Sequence, residues 1–229
     1  MIEVENLSKR YFTTRALKNV SLRIEQGRVV GILGENGSGK STLFKILAGV
    51  SRPSSGQVRI YDEPVGIQTR AFTSYLPEIN PFYPWMQVDE QLEFLSQFYP
   101  DWNPAKVDEL LLLMGLNPTA KIGELSRGQQ ARLKVVAAFA WPSRLVLMDE
   151  PLGGIDPPSR RRIVGALFDQ YRIGEQTVLI STHLVGEVEE VIEEVIFLKD
   201  GEIALQGDAD QLRQEKGMSL QDIFEEVAT

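Results

Sequence analysis

Two stretches of this chain suit the handling of phosphate, and they lie far apart. The first, "GENGSGKST" at residues 34–42, fits G-x-x-x-x-G-K-[ST]. It follows the apolar run "RVVGIL" and precedes a helical pattern, the context in which this motif works. Small residues let the backbone N–H groups of Gly37, Ser38, Gly39 and Lys40 turn inward, and the helix N-terminus behind them adds partial positive charge. Lys40 is placed to reach the terminal phosphates and the Ser41 hydroxyl to ligate Mg²⁺. Gly34, Glu35, Asn36 and Thr42 complete the loop. The second stretch is "ELSRGQQARL" at residues 124–133. At the start of a helix, Ser126, the Gly128 N–H and Gln129 would offer hydroxyl and amide donors as a second anion site. The same residues also read as an ordinary helix cap.

Two further positions could do chemistry. "LVLMDEP" at residues 145–151 is an apolar strand ending in two acids. An acid at a strand's C-terminal end can point into the same crevice as a phosphate loop. Asp149 would hold Mg²⁺, and Glu150 would orient and deprotonate an attacking water. His183, the one histidine, ends another apolar strand, "TVLISTH", where a sensor of the outermost phosphate would sit.

These groups need elements to hold them. The spacing predicts strands over 2–7, 17–24, 28–33 and 57–61. The first two and the last alternate apolar and polar residues, as half-exposed antiparallel strands do. Residues 28–33 read instead as a buried parallel strand. A helix over 40–48 is stopped by Gly49, and a strand follows over 72–76. Residues 88–98 and 104–114 read as helices, the second capped by Asn103 with Pro104 in its first turn. Then come a helix over 128–140, a strand over 144–149, a helix over 158–171 and a strand over 177–182. A hairpin over 195–199 and 202–207 turns at Asp200-Gly201. Two short helices end the chain, the second begun by Ser219 with Asp222.

Bulk properties exclude several classes. The net charge of −8 argues against coating nucleic acid, so no nucleic-acid partner is expected. The absence of cysteine removes disulfides, thiolate metal sites and a cysteine nucleophile. The start, "MIEVENLSKR", does not read as a signal peptide. The richest apolar stretches, at 110–116 and 135–141, fall short of the roughly 20 residues that span a bilayer. No Asn-Lys-x-Asp guanine reader is present, which disfavours a GTPase. The segment after residue 80 is acidic and aromatic, unlike the arginine-rich lid of a small-molecule kinase.

With these motifs in place, the chain resembles the ATP-binding cassette ATPases over essentially its whole length. The phosphate loop, the signature at residues 125–129, "LVLMDE", "GGID" and His183 occur in that family's order and spacing. The resemblance implies an α/β fold: a P-loop NTPase core with a mixed central sheet, an N-terminal antiparallel β subdomain and an inserted α-helical subdomain. It implies one nucleotide-binding domain over 1–229. Its core would be 1–79 and 141–207, its helical insert 80–140, and its short C-terminal helices 208–229.

ATP and Mg²⁺ are the implied ligands. Lys40, Glu150 and His183 would be catalytic, and Ser41, Asp149 and Glu78 would face the metal. Tyr11, expected just after the first strand, would stack on adenine. Ser126, Arg127, Gly128 and Gln129 would grip the ATP of a second cassette, in a homo- or heterodimer closed head to tail. Asp156 would couple the two sites across that dimer.

Departures from the family pattern are Gly153 and Ile155 in the coupling loop, and Glu78 where many members have Gln. Residues 82–102 hold seven of the 19 aromatic residues. Phe82, Tyr83 and Trp85 suit a groove for an integral membrane subunit, and Phe94 with Phe98 a small core. The flavour of "YLPEINPFYP" and "FYPDW", with little chain after His183, resembles exporter ATPases. The implied location is the cytoplasmic face of the membrane. A non-transport clamp acting on a soluble partner such as the ribosome is the alternative.

Overall fold

The computed structural model describes every residue except 100, 172–173 and 229, and only the backbone of 167–169. In chain order, β1 (Ile2–Tyr11) and β2 (Thr14–Ile24) form a hairpin, followed by β3 (Val29–Leu33) and α1 (Lys40–Leu47). Next come β4 (Ser55–Ile60), β5 (Glu63–Pro64), α2 (Ile67–Arg70) and β6 (Thr73–Leu76). Three helices follow: α3 (Val88–Ser96), α4 (Pro104–Met114) and α5 (Arg127–Phe139). Then β7 (Leu145–Asp149), α6 (Pro157–Gln170), β8 (Thr177–Thr182), β9 (Glu194–Lys199), β10 (Glu202–Asp208), α7 (Ala209–Lys216) and α8 (Leu220–Ala228).

The strands build two sheets. One has the order β2-β1-β4-β5 and is antiparallel throughout. The other runs β10-β9-β3-β8-β7-β6, parallel except for the β9–β10 hairpin. This is an α/β fold with a mixed central sheet. Strands β3, β7 and β8 are buried at every residue. Their unbroken apolar runs follow from having two cores to fill. Leu145 and Leu147 join the core around Phe44 and the antiparallel sheet, while Val146 and Met148 join the core under α4 and α5.

Topology places the chemistry. Strand β8 lies between β3 and β7, with Leu33 opposite Thr182 and Asp149 opposite Ser181. The segments that leave these three strands therefore emerge side by side at the sheet's carboxyl edge. They are the phosphate loop, the Asp149-Glu150 pair and His183.

Local signals explain the boundaries. Asn103 caps α4, its Oδ1 accepting from the Lys106 N–H at 3.1 Å. Gly49 adopts φ 68° just past α1, a conformation open to glycine. Asp200 and Gly201 both take positive φ, as a two-residue hairpin turn demands. Ser219 and Asp222 close the expected cap on α8, with Ser219 Oγ accepting from the Asp222 N–H at 3.1 Å.

Two expectations are corrected. Strand β1 runs on through bulges to Tyr11, so Tyr11 is the strand's last residue rather than a residue beyond it. Phe82, 9% exposed, belongs to the core and also lines the groove beside Tyr83, as expected of it. Phe94 and Phe98 are 38% and 63% exposed, so they form no core of their own. They meet edge to face at 5.2 Å and extend a surface row through Tyr83 to Trp85.

Candidate functional site

The phosphate loop is shaped by close packing. Gly39 has φ 109°, and a Cβ there would fall 2.5 Å from the Ala16 carbonyl oxygen. Gly34 is equally confined, its missing Cβ lying 2.4 Å from the Leu198 carbonyl oxygen. The loop is thus clamped between β2 and β9, and glycine is the residue that fits. The Ser38 hydroxyl is buried and makes no hydrogen bond. An orphaned donor inside a loop of inward-turned amides is what a phosphate oxygen satisfies.

Lys40 and the two acids form one bonded cluster. Lys40 Nζ donates to the Gly34 carbonyl at 2.7 Å and the Glu35 carbonyl at 3.0 Å. It also lies 3.1 Å from Glu150 Oε1, both side chains being almost fully buried. That oxygen makes no directed hydrogen bond, so the contact is an ion pair off the bonding line. The other carboxylate oxygen, Oε2, meets His183 Nδ1 at 3.1 Å. Glu150 takes φ 46°, a left-handed conformation that costs a non-glycine residue about 1–3 kcal/mol. Its N–H is anchored by both the carbonyl oxygen and the hydroxyl of Ser181, each at 3.0 Å. Strain held by such anchors aims the carboxylate between Lys40 and His183.

Asp149 is 1% exposed. Its Oδ1 accepts from Ser41 Oγ at 2.9 Å and Ser181 Oγ at 2.7 Å, and its Oδ2 from the Tyr75 hydroxyl at 3.4 Å. Burial, reinforced by the Asp149 charge, raises the Tyr75 hydroxyl pKa and keeps it a donor. Ser181 and Tyr75 are site residues that sequence reasoning missed. A serine inside the otherwise apolar buried strand "TVLIST" was the available signal.

The Ser41 and Asp149 oxygens form a hard donor set that fits Mg²⁺. Among the described residues, no trio of carboxylate or imidazole groups forms a cage of its own. Mg²⁺ characteristically binds one or two carboxylates together with substrate phosphates rather than a dedicated protein cage. Glu78 is exposed. Its carbonyl and that of Pro77 accept from Lys134 Nζ at 3.1 and 2.7 Å. Burial lowers the Lys134 pKa, while Asp149 and Glu78 oppose that shift, which places both carboxylates in its neighbourhood.

The second motif forms a different grouping. Ser126 Oγ accepts from the Gln129 N–H at 3.2 Å, and Gln129 Oε1 accepts from the Ser126 N–H at 2.8 Å. This is a reciprocal helix cap, the simpler of the two sequence readings. Gly128 packs against the loop of Asp156, where a Cβ would meet Asp156 Oδ2 and Ser159 Oγ, each at 2.5 Å. Asp156 itself caps α6, accepting from the Ser159 N–H at 2.9 Å and the Ser159 hydroxyl at 2.8 Å. These two bonds hold the Asp156 carboxyl below its usual pKa. Arg127 is exposed at the same place. The motif and the Asp156 loop therefore pack against each other at Gly128, while the cap bonds of each stay within it.

Tyr11 is 41% exposed, with Lys9 Nζ 4.8 Å from its ring centroid. It pairs with Thr14, two residues before the Ala16 carbonyl that confines Gly39. A cavity of about 770 Å³ lies on this hairpin among Lys9, Arg10, Arg15 and Lys18. A smaller one, about 300 Å³, lies between residues 34–38 and the Phe224 and Val227 side of α8. Size does not locate the chemistry here; the bonded cluster of Lys40, Asp149 and Glu150 does.

Comparison with known proteins agrees with this geometry. The family model described as ABC transporter matches residues 17–153. The uncharacterized ABC transporter ATP-binding protein YxlF of Bacillus subtilis (strain 168) is 33% identical over 221 residues, covering 94% of this chain and 74% of YxlF. The probable sulfate/thiosulfate import ATP-binding protein CysA of Chlorella vulgaris is 32% identical over 229 residues, covering 92% of each. Among solved structures, the dimeric ATP-binding cassette MJ0796 in a post-hydrolysis state with ADP and Pi superposes with a TM-score of 0.82. It shares 27% identity, with coverage of 91% of this chain and 98% of that one. The chain belongs to the ABC transporter family and is an ATP-binding, ATP-hydrolysing subunit that uses Mg²⁺. No helix among the described residues is long and apolar enough to cross a membrane.

Proposed function

We propose that two copies of this chain, or this chain and a related cassette, close head to tail on two ATP molecules and so drive a separate integral membrane subunit. The observation that carries the reading is the bonded cluster at the sheet edge: Lys40 against Glu150, Glu150 against His183, and Ser41 with Ser181 on Asp149. It holds a base, a cation and a metal-facing carboxylate within bonding reach of one phosphate loop.

In this reading Lys40 exchanges its contact with Glu150 for the outer phosphates, which frees the carboxylate to face water. Glu150 takes the proton from that water as its oxygen bonds to the γ-phosphorus, and the bond to the ADP oxygen breaks. His183, oriented by Glu150, contacts the γ-phosphate. Ser41 and Asp149, with Glu78 beside them, would hold Mg²⁺, which would supply positive charge against the phosphates. Tyr11 stacks on adenine. Ser126, Arg127, Gly128 and Gln129 grip the second chain's ATP, the exposed Ser126 and Arg127 opening a helix start suited to an anion. Asp156, packed on Gly128, links that grip to the seam between the chains.

The membrane subunit would seat in the groove of about 320 Å³ lined by Tyr75, Pro77, Tyr83, Phe94, Tyr99 and Trp141. Its aromatic walls, next to the Glu78 segment, suit a short apolar helix. In this reading the chain works at the cytoplasmic face of the membrane. Export is the direction favoured, on the likeness of the aromatic segment to exporter ATPases; CysA, a relative named for import, is the counterweight. Copurification from detergent-solubilised membranes tests the reading. A multi-spanning partner supports it, and reproducible recovery of ribosomes or soluble partners alone overturns it. With that partner reconstituted in inside-out vesicles, ATP-driven cargo accumulation supports export, and ATP-driven cargo loss overturns it.

A further inference from the structure

The turn that follows His183 is held from two sides. It is a single 3₁₀ turn, Val185–Glu187, with Val185 fully buried beneath it. From one side, Arg160 reaches it. Arg160 stands four residues after Asp156 in the first turn of α6, whose N-terminal cap is Asp156. Its Nη1 lies 2.8 Å from Glu187 Oε1, and its Nε donates to the Ile155 carbonyl at 3.1 Å. Ile155 belongs to the coupling loop and is 8% exposed. From the other side, Gln221 Oε1 in α8 accepts from the Gly186 N–H at 3.2 Å, and Gln221 Nε2 donates to Glu225 at 2.8 Å.

A guanidinium presents its donors in a rigid plane, so its two partners cannot move independently. A displacement of the Ile155 carbonyl tilts the fork and draws Glu187 with it. Glu187 is four residues beyond His183, whose ring is bonded to Glu150. The Arg160–Glu187 pair is partly solvent-exposed, with side-chain accessibilities of 22% and 40%. Pairs so placed contribute little to stability, so a folding role leaves its presence unexplained.

We infer that Arg160 is a positioning residue that transmits the state of the coupling loop to the His183 turn, and thereby sets the alignment of His183 with Glu150. This rests on the reading in which the loop around Asp156 faces a second chain. Gln221 is the fixed tie against which the turn moves.

The test measures kcat and ATP affinity separately in Arg160→Ala, Glu187→Gln and the double variant. Each single variant should lose about tenfold in kcat with ATP affinity held within about twofold. The double variant should lose no more than either single, because both break one link. Arg160→Lys, with one ammonium for two acceptors, should fall between wild type and Arg160→Ala. Glu187→Gln alters a surface carboxylate and carries the same expectation should Arg160→Ala fail to fold. Wild-type kcat in both single variants overturns the inference, as does a parallel loss of ATP affinity. The supporting reading is checked apart: Glu150→Gln, with and without Arg160→Ala, should dimerise on adding ATP. Dimers in both with wild-type kcat in Arg160→Ala defeat the Arg160 link alone. No dimer in Glu150→Gln itself defeats the two-chain reading instead.

Discussion

Replacing Glu150 by Gln isolates the charge at the centre of the site. The side chain is almost fully buried, with one oxygen 3.1 Å from Lys40 Nζ and the other 3.1 Å from His183 Nδ1. Gln keeps the shape and an acceptor but removes the negative charge and the basicity. Removing one partner of a buried ion pair outright costs about 3–5 kcal/mol. Here the Gly34 and Glu35 carbonyls still hold the ammonium, and Asp149 next door loses a like-charged neighbour. The expected stability loss therefore falls below that range, at about 1–2 kcal/mol, or roughly 2–8 °C in melting temperature for a chain of this size. The catalytic loss is larger. A positioned general base contributes about 10²–10⁴-fold, so kcat should fall by at least about a hundredfold. ATP should bind as tightly or more tightly, because Lys40 no longer divides its charge between phosphate and carboxylate. Phosphate release under saturating MgATP gives kcat, and a fluorescent ATP analogue gives affinity. A variant that keeps more than about a tenth of kcat refutes Glu150 as the base. One that loses ATP binding refutes the view that Glu150 competes with phosphate for Lys40.

Three further outcomes follow from the geometry. Glu78→Gln should keep kcat within about threefold, with a changed Mg²⁺ requirement, since the exposed side chain offers an oxygen in either form and Lys134 holds only backbone carbonyls; complete loss of hydrolysis would contradict this. Gly128→Ala should weaken ATP-driven dimerisation while leaving nucleotide affinity of the single chain intact, because its Cβ would press on Asp156 and Ser159; unchanged dimerisation by light scattering refutes it. Asp156 has a folded pKa lowered by its bonds to Ser159, so its contribution is present above the unfolded value and fades as pH falls through the folded one. The melting-temperature gap between wild type and Asp156→Asn should accordingly be wider at pH 7 than at pH 3, and a gap independent of pH contradicts that assignment.

Much of this site was legible because its signals are local. The phosphate loop is nine consecutive residues, and the two acids and the histidine each end a run of apolar residues that a parallel strand must have. What escaped the sequence is what depends on distant partners. Strand β1 breaks its alternation at bulges beside Asn6, which takes φ 49°, so period-two reading stopped at residue 7 and left Tyr11 outside. Strand β5 and helix α2 span two and four residues, too few to show a period. Ser181 touches Asp149 across 32 residues of sequence, and Arg160 touches Glu187 across 27. Neither contact leaves a mark in the spacing. Phe94 and Phe98 looked like core because i,i+4 aromatics usually are; here the core beneath is already filled by Phe82 and Leu92.

The central claim is that each ATP is shared, the phosphate loop coming from one chain and Ser126, Gly128 and Gln129 from another. Light scattering of the Glu150→Gln variant, which should bind ATP and hydrolyse it poorly, tests this most directly. The account predicts a monomer without nucleotide, a dimer with ATP, and loss of that dimer when Gly128→Asp is added. A single mass with and without ATP, in protein shown to be nucleotide-bound, would contradict it.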